Sequence, residues 1–127
     1  NFTVEDGKME IGIGHHGEPG IAVGELGSAA DIAKQMTDIV LPDYPFGEGD
    51  RVIVLVSGLG ATPLMEQYVL YNEIEKILKS KGIVIHKSYV GNYFTSVDMA
   101  GVTVTVLRMD EELRKLLSCE PEIGVLP

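Results

Sequence analysis

The segment that most constrains the fold runs from Arg51 to Val90. Arg51-Val52-Ile53-Val54-Leu55-Val56 is apolar at every position after the first. Neither face of a strand built from it belongs in water, which fits an interior strand covered on both sides or one at the centre of a mixed sheet. In Ser57-Gly58-Leu59-Gly60-Ala61-Thr62-Pro63 the glycines permit a tight bend, Thr62 suits an N-cap, and Pro63 suits the first helical position. From Pro63 to about Lys81, the residues Leu64, Tyr68, Tyr71, Ile74 and Leu78 fall on one stripe, and Gly82 is a natural left-handed C-cap. Ile83 to Val90 then reads as a strand. Strand, helix and strand in this order predict a right-handed crossover onto the second strand.

Before this unit, Met9, Ile11 and Ile13 alternate with Glu10, Gly12 and Gly14, the period of a half-buried strand. That strand leads into His15-His16-Gly17-Glu18-Pro19-Gly20, which holds two of the three histidines in the chain. Phe2-Thr3-Val4 is β-prone, and Asp6-Gly7 suits a tight turn, so the opening strand reads as one arm of a hairpin. Ile21 to Leu26 fits either a short strand or a connector. Ser28 and Asp31 form a capping box for an amphipathic helix, Ser28 to Leu41, carrying Ile32, Met36 and Ile39 and stopped by Pro42. Later, Val102 to Leu107 alternates valine with threonine, which predicts one buried and one wetter face. Asp110 caps a short helix with Leu113, Leu116 and Leu117 on its apolar side, and Pro121 to Pro127 has no clear period. The expected architecture is an α/β two-layer sandwich with a mixed β-sheet and helices packed on one face.

At 127 residues the chain fits one domain, residues 1–127. A net charge of -9 argues against nucleic acid, whose binding draws on Lys and Arg. Cys119, the one cysteine, makes no internal disulfide, which fits a reducing compartment. No apolar run is long enough to span a membrane, so the expectation is a cytoplasmic protein. The chain opens on Asn1 rather than methionine, which reads as a processed piece or a fragment of something longer.

Four places carry candidate chemistry. The Ser57 to Thr62 turn precedes a helix, where anions bind, yet it lacks the lysine of a phosphate loop and the dinucleotide glycine spacing; its glycines read as shaping the turn. Gly91 to Gly101 is polar, with residues that tight connections use to satisfy their own backbone. His86 reads as a surface histidine. For His15 and His16 three roles compete: metal ligands with no third ligand at a recognisable spacing, turn stabilisers, or a reactive imidazole flanked by glycines that admit a small carbonyl substrate. The residues by themselves leave these open.

Met9 to Gly20, Leu59-Gly60-Ala61-Thr62-Pro63-Leu64, Tyr71-Asn72, Gly91-Asn92-Tyr93 and Thr95 to Gly101 resemble, in the same order, the second half of the substrate-binding subunit of dihydroxyacetone kinases. The resemblance implies that this chain is the C-terminal domain of a two-domain subunit and that His16, directly before Gly-Glu-Pro-Gly, binds the ketone covalently as a hemiaminal. It also implies a missing N-terminal domain with the hydroxyl contacts and an acid/base pair, a phosphoryl group supplied by a partner subunit or domain that is either a nucleotide-binding kinase subunit holding ATP or ADP or phosphotransferase-linked, a homodimer, and no cofactor bound by this domain. Alone, the chain is expected to be inactive. His15 departs from the family, which commonly has an aliphatic residue there, and this leaves room for another short ketose such as erythrulose. Glu18 and Gly17 are candidate supporting residues, Glu18 by orienting His16. The competing function is a ketone-sensing paralogue that binds without catalysis and regulates transcription.

Overall fold

The computed structural model describes residues 3–14 and 16–119. His15, Phe2 and the tail from Glu120 therefore lie outside the described residues. In chain order the elements are β1 (Lys8–Ile11), β2 (Ala22–Glu25), α1 (Ala29–Val40), a 3-10 turn (Leu41–Asp43), β3 (Arg51–Gly58), α2 (Leu64–Ser80), β4 (Val84–Gly91), β5 (Val102–Arg108) and α3 (Glu111–Leu117). β3 lies at the centre of a three-stranded mixed sheet, parallel to β4 and antiparallel to β5. β1 and β2 form a separate antiparallel pair.

The apolar run behaves as the centre of a mixed sheet rather than as a strand with helices on both sides. Val52, Val54 and Val56 are fully buried in one cluster with Ala33 of α1 and Leu70, Ile74 and Leu78 of α2. Val102, Val104 and Val106 of β5 pack against the same cluster, so α1, α2 and one sheet face make the expected two layers. The opposite face carries Ile53, Leu55, Thr105 and Leu107, and Leu107 is exposed. There the Lys87 ammonium lies 4.6 Å over the Tyr89 ring. The β3–β4 register shifts between Val52 and Ile53, so His86 is the bulged residue of an edge strand, and it is exposed.

Local signals produced the helix ends largely as written. Ser28 accepts from the Asp31 amide while Asp31 bonds back to Ser28, completing the capping box. Those bonds to Ser28, side chain first, hold Asp31 below the usual carboxylate range. Replacing Ser28 by alanine is expected to cost about 1 kcal/mol, read as a lower unfolding midpoint. Gly82, at φ 72, ends α2, where its amide and those of Lys81 and Ile83 tie back to the last turn. Pro42 does not simply stop the first helix: it sits in a 3-10 turn that prolongs it to Asp43.

Four expectations are corrected. The hairpin partner of β1 is β2, and Thr3 and Val4, the described part of the run expected to pair with it, are not in a strand. The strand stops at Ile11, because Gly12 turns to φ 78 and breaks the alternation before Ile13. Pro63, not Thr62, is the N-cap of α2; the Thr62 hydroxyl instead donates to the Gly101 carbonyl and accepts from its amide, both at 2.9 Å. The buried face of α2 is Gln67, Leu70, Ile74 and Leu78, so Leu64 and Tyr68 are exposed. Leu116 and Leu117 of α3 are exposed as well.

At the foot of the sheet, Asp50 accepts from Gly47 N–H at 2.8 Å and pairs with Arg108 at 3.1 Å, joining the start of β3 to the end of β5. The Gly47 amide, then the Arg108 guanidinium, hold the Asp50 carboxyl below its ordinary value, and the pairing holds Arg108 above its own. A depressed folded value stabilises the fold above the unfolded carboxylate's value of about 3.9, and that contribution fades as pH falls through the lower folded value. Unfolding midpoints of wild type and Asp50→Asn should therefore differ near neutral pH and converge once pH falls below the lowered folded value of the Asp50 carboxyl.

Candidate functional site

The histidine loop is the connection from β1 to β2, and glycines and two carboxylates shape it. Ile21 N–H closes it on the Ile11 carbonyl at 2.7 Å, and inside it Gly14 N–H donates to the Glu18 carbonyl at 3.1 Å and Gly17 N–H to the Gly14 carbonyl at 3.0 Å. Gly17 has φ 90, a conformation that side-chain-bearing residues rarely adopt. Gly14 is required for a different reason: a Cβ there would lie 1.9 Å from Glu18 Oε2, because the Glu18 side chain folds back over it.

From that position Glu18 reaches His16 twice. Its Oε2 accepts from the His16 backbone N–H at 3.2 Å, and its Oε1 lies 3.7 Å from His16 Nδ1. The imidazole is otherwise open, with its side chain 91% exposed. With Glu18 on the Nδ1 side of the ring, Nε2 lies on the far edge, accessible to a carbonyl carbon.

Glu10 is the residue that sequence reasoning missed. Its carboxylate accepts from the Gly20 N–H at 2.7 Å, pinning the end of the loop to β1. The available signal was its place on the same strand face as Gly12 and Gly14, across from the apolar residues. A Cβ on Gly20 would come within 2.6 Å of the Ile11 carbonyl oxygen, so loop and strand are in close contact there.

The two other loops join each other at the C-terminal end of β3. Ser57 Oγ accepts from the N–H groups of Tyr93 and Phe94, each at 3.0 Å. Buried Gln67 donates to the Thr62 carbonyl and to Asn92 Oδ1, and Ser96 donates twice to the Leu59 carbonyl. Gly58 leaves room for this: a Cβ there would lie 2.2 Å from Gln67 Nε2. The polar groups of Ser57, Thr62, Gln67, Asn92 and Ser96 thus hold backbone to backbone. Among the described residues no three His, Cys, Asp or Glu side chains converge as a metal site would need, and no helix is long and apolar enough to cross a membrane.

One cleft of about 600 Å³ separates the β1–β2 hairpin from the helical body. Its walls bring Gly12 and Ile13, at the base of the histidine loop, together with Leu59, Ala100 and Gly101. His16, Gly17 and Glu18 are not in those walls; they stand beyond them, on the outer turn of the loop.

Comparison with known proteins gives this arrangement a family. The chain is 42% identical over 116 residues to the dihydroxyacetone-binding subunit DhaK of PTS-dependent dihydroxyacetone kinase 2 from Listeria innocua, covering 91% of this chain and 35% of that protein. It is 40% identical over 114 residues to the D-erythrulose kinase of Mycolicibacterium smegmatis, covering 90% of this chain and 20% of the enzyme. Among solved structures, the dihydroxyacetone kinase operon co-activator Dha-DhaQ superposes with a TM-score of 0.78 at 29% identity, over 93% of this chain and 37% of that one. The chain thus spans about a third of the length of the DhaK subunit it matches. Residues 1–123 match the Dak1 domain, and the chain belongs to that family, among relatives of the dihydroxyacetone-binding subunits of dihydroxyacetone kinases.

Proposed function

We propose that this chain is the C-terminal, substrate-anchoring domain of a dihydroxyacetone kinase subunit, and that His16 captures the ketone covalently. The observation that supports this reading is an exposed imidazole with the Glu18 carboxylate 3.7 Å from its Nδ1, on a glycine-shaped loop in a chain of the Dak1 family. The Nε2 lone pair adds to the carbonyl carbon, and the C=O π pair moves to oxygen, which takes a proton from water. The imidazole releases its Nδ1 proton toward Glu18 or solvent, leaving a neutral hemiaminal. A nitrogen nucleophile selects for an electrophilic carbon, so glycerol, which has the hydroxyls but no carbonyl, is rejected. Gly14 and Gly17 shape the loop so that the ketone can approach.

In this reading the N-terminal domain of the longer subunit supplies the hydroxyl contacts and the acid/base groups. A nucleotide-binding partner subunit, holding ATP or ADP, supplies the phosphoryl group. The subunit is a cytoplasmic homodimer, and this domain alone transfers no phosphate. His15, outside the described residues, tunes the ketose preference. The test is the full-length subunit with dihydroxyacetone labelled with 13C at the carbonyl. Wild type is expected to replace the ketone carbon signal by that of a tetrahedral carbon, and His16→Ala to keep the ketone signal. An unchanged signal in wild type, or a tetrahedral carbon in the variant, overturns the reading.

A second reading is a ketone sensor, favoured by the fit to a structure named as an operon co-activator. An adduct at His16 with no phosphoryl transfer alongside the nucleotide-binding partner would select it. Because a D-erythrulose kinase stands among the relatives, competition between dihydroxyacetone and erythrulose for His16 identifies the ketose.

A further inference from the structure

We propose that the cleft between β1 and β5 is a slot for one more β-strand, supplied by the portion of the longer subunit that this chain does not cover. The hydrogen-bonding phase of both neighbouring strands supports it. Leu26 N–H donates to the Gly7 carbonyl at 2.8 Å. By antiparallel alternation Gly7, Met9 and Ile11 direct their backbone groups at β2, while Lys8 and Glu10 turn theirs to the other edge. Across the cleft, Leu59 N–H donates to the Gly101 carbonyl at 2.9 Å and Met109 N–H to the Arg51 carbonyl at 2.8 Å. These bonds fix the phase of β5: Thr103, Thr105 and Leu107 exchange bonds with β3, while Val102, Val104 and Val106 turn their N–H and C=O groups away from it.

Among the described residues, two strand edges with open positions therefore face one cleft: Glu10, Val102 and Val104 are in its walls, and at Lys8, also in the wall, the carbonyl is open while the N–H is taken by the Glu5 carbonyl at 3.0 Å. Consecutive residues of β1 line it, as a strand edge does, whereas a strand face would contribute every second residue. The floor is mainly apolar, made by Ile32, Met36, Ile39 and Val40 of α1 with Gln35 among them. The strand that fits alternates apolar with polar residues, with its apolar side chains on α1 and its backbone bonded on both edges. Filling the slot converts two small sheets into one in the order β4, β3, β5, the added strand, β1, β2. It also fixes the hairpin, and with it the base of the His16 loop, to the body of the protein.

The occupant follows from where the remaining chain lies. This chain covers 35% of the Listeria innocua DhaK subunit, so a subunit of that length has ample further polypeptide. Val4, Glu5 and Asp6 are themselves part of the cleft wall, so a segment of the longer subunit joined on that side would lie beside the slot. This inference rests on the proposed longer subunit and not on the ketone chemistry.

Amide hydrogen exchange on the full-length subunit, without ketone, tests it. The Glu10 and Val104 amides are expected to exchange at least ~100-fold more slowly than in unstructured chain. The protection should be the same in dilute and concentrated protein and unchanged in His16→Ala. Val104→Pro removes an N–H from the slot edge and leaves the pairing with β3, so Glu10 protection should fall by about tenfold or more. Exchange at unstructured rates overturns the proposal. So does protection lost on dilution, which would assign the slot to a second copy, and so does Glu10 protection indifferent to Val104→Pro. An unprotected slot beside an intact His16 adduct sinks the strand alone, and a protected slot without an adduct sinks the ketone reading alone.

Discussion

Ile74→Ala is expected to lower the unfolding free energy by about 2–5 kcal/mol, the range for truncating a fully buried isoleucine. Ile74 is 0% exposed and sits with Leu70 and Leu78 on the face of α2 that shares a cluster with Val52 and Val54 of β3. Losing its branched side chain removes dispersion contacts and leaves a cavity that the rigid strand beneath cannot close. With a urea slope of about 2 kcal/mol/M, the midpoint should fall by roughly 1–2 M. Tyr68→Ala is the control. The sequence stripe placed Tyr68 beside Ile74, but the structure exposes it, so its replacement should move stability by no more than about 0.5 kcal/mol. Equal losses at the two positions would mean that α2 is rotated from the orientation described.

Ser57→Ala should be the next most costly change, by roughly 2–4 kcal/mol, although it removes one oxygen atom. Ser57 is 0% exposed, and its hydroxyl is the shared acceptor for the amides of Tyr93 and Phe94. Removing it leaves two partly buried N–H groups without that acceptor, and the loop from Asn92 to Gly101 loses its tie to the end of β3. The effect should appear both as a lower unfolding midpoint and as faster amide exchange at Tyr93 and Phe94. A stability loss with unchanged exchange at those two amides would show that the hydroxyl acts elsewhere.

The exposed stripe of α2 shows how a periodic pattern can mislead. Leu64, Tyr68, Tyr71, Ile74 and Leu78 follow one another in steps of three and four, but so do Gln67, Leu70, Ile74 and Leu78. Apolar character favours the first set, whereas burial follows the second, because Gln67 has partners at the end of β3 and β4 that only the packed molecule provides. Thr62 is a similar case. Its hydroxyl is as suited to capping as any, yet Gly101, far away in sequence, offers both a donor and an acceptor to it.

The candidate site divides in the same way. His16 and its glycines stand out in the sequence because the loop is short and its spacing fixed. Glu18 stands two residues away in the sequence, and in the structure its carboxylate accepts from the His16 backbone N–H. Glu10 was not, since its partner Gly20 is reached only once β1 and β2 pair.

What the sequence by itself determined is what a few adjacent residues can enforce: the Ser28–Asp31 cap, the glycine end of α2, the apolar strand β3, and a histidine loop that glycines bend. Backbone conformation and hydrogen bonds within one turn carry those, and they act before any distant segment arrives. The tertiary structure decided which strand pairs with β1, which face of α2 is buried, how the loops at the end of β3 lock together, and that two strand edges open onto one cleft. Each of these depends on contacts between residues far apart in the chain, where the favourable partner is set by packing and by the need to satisfy buried backbone groups rather than by local preference.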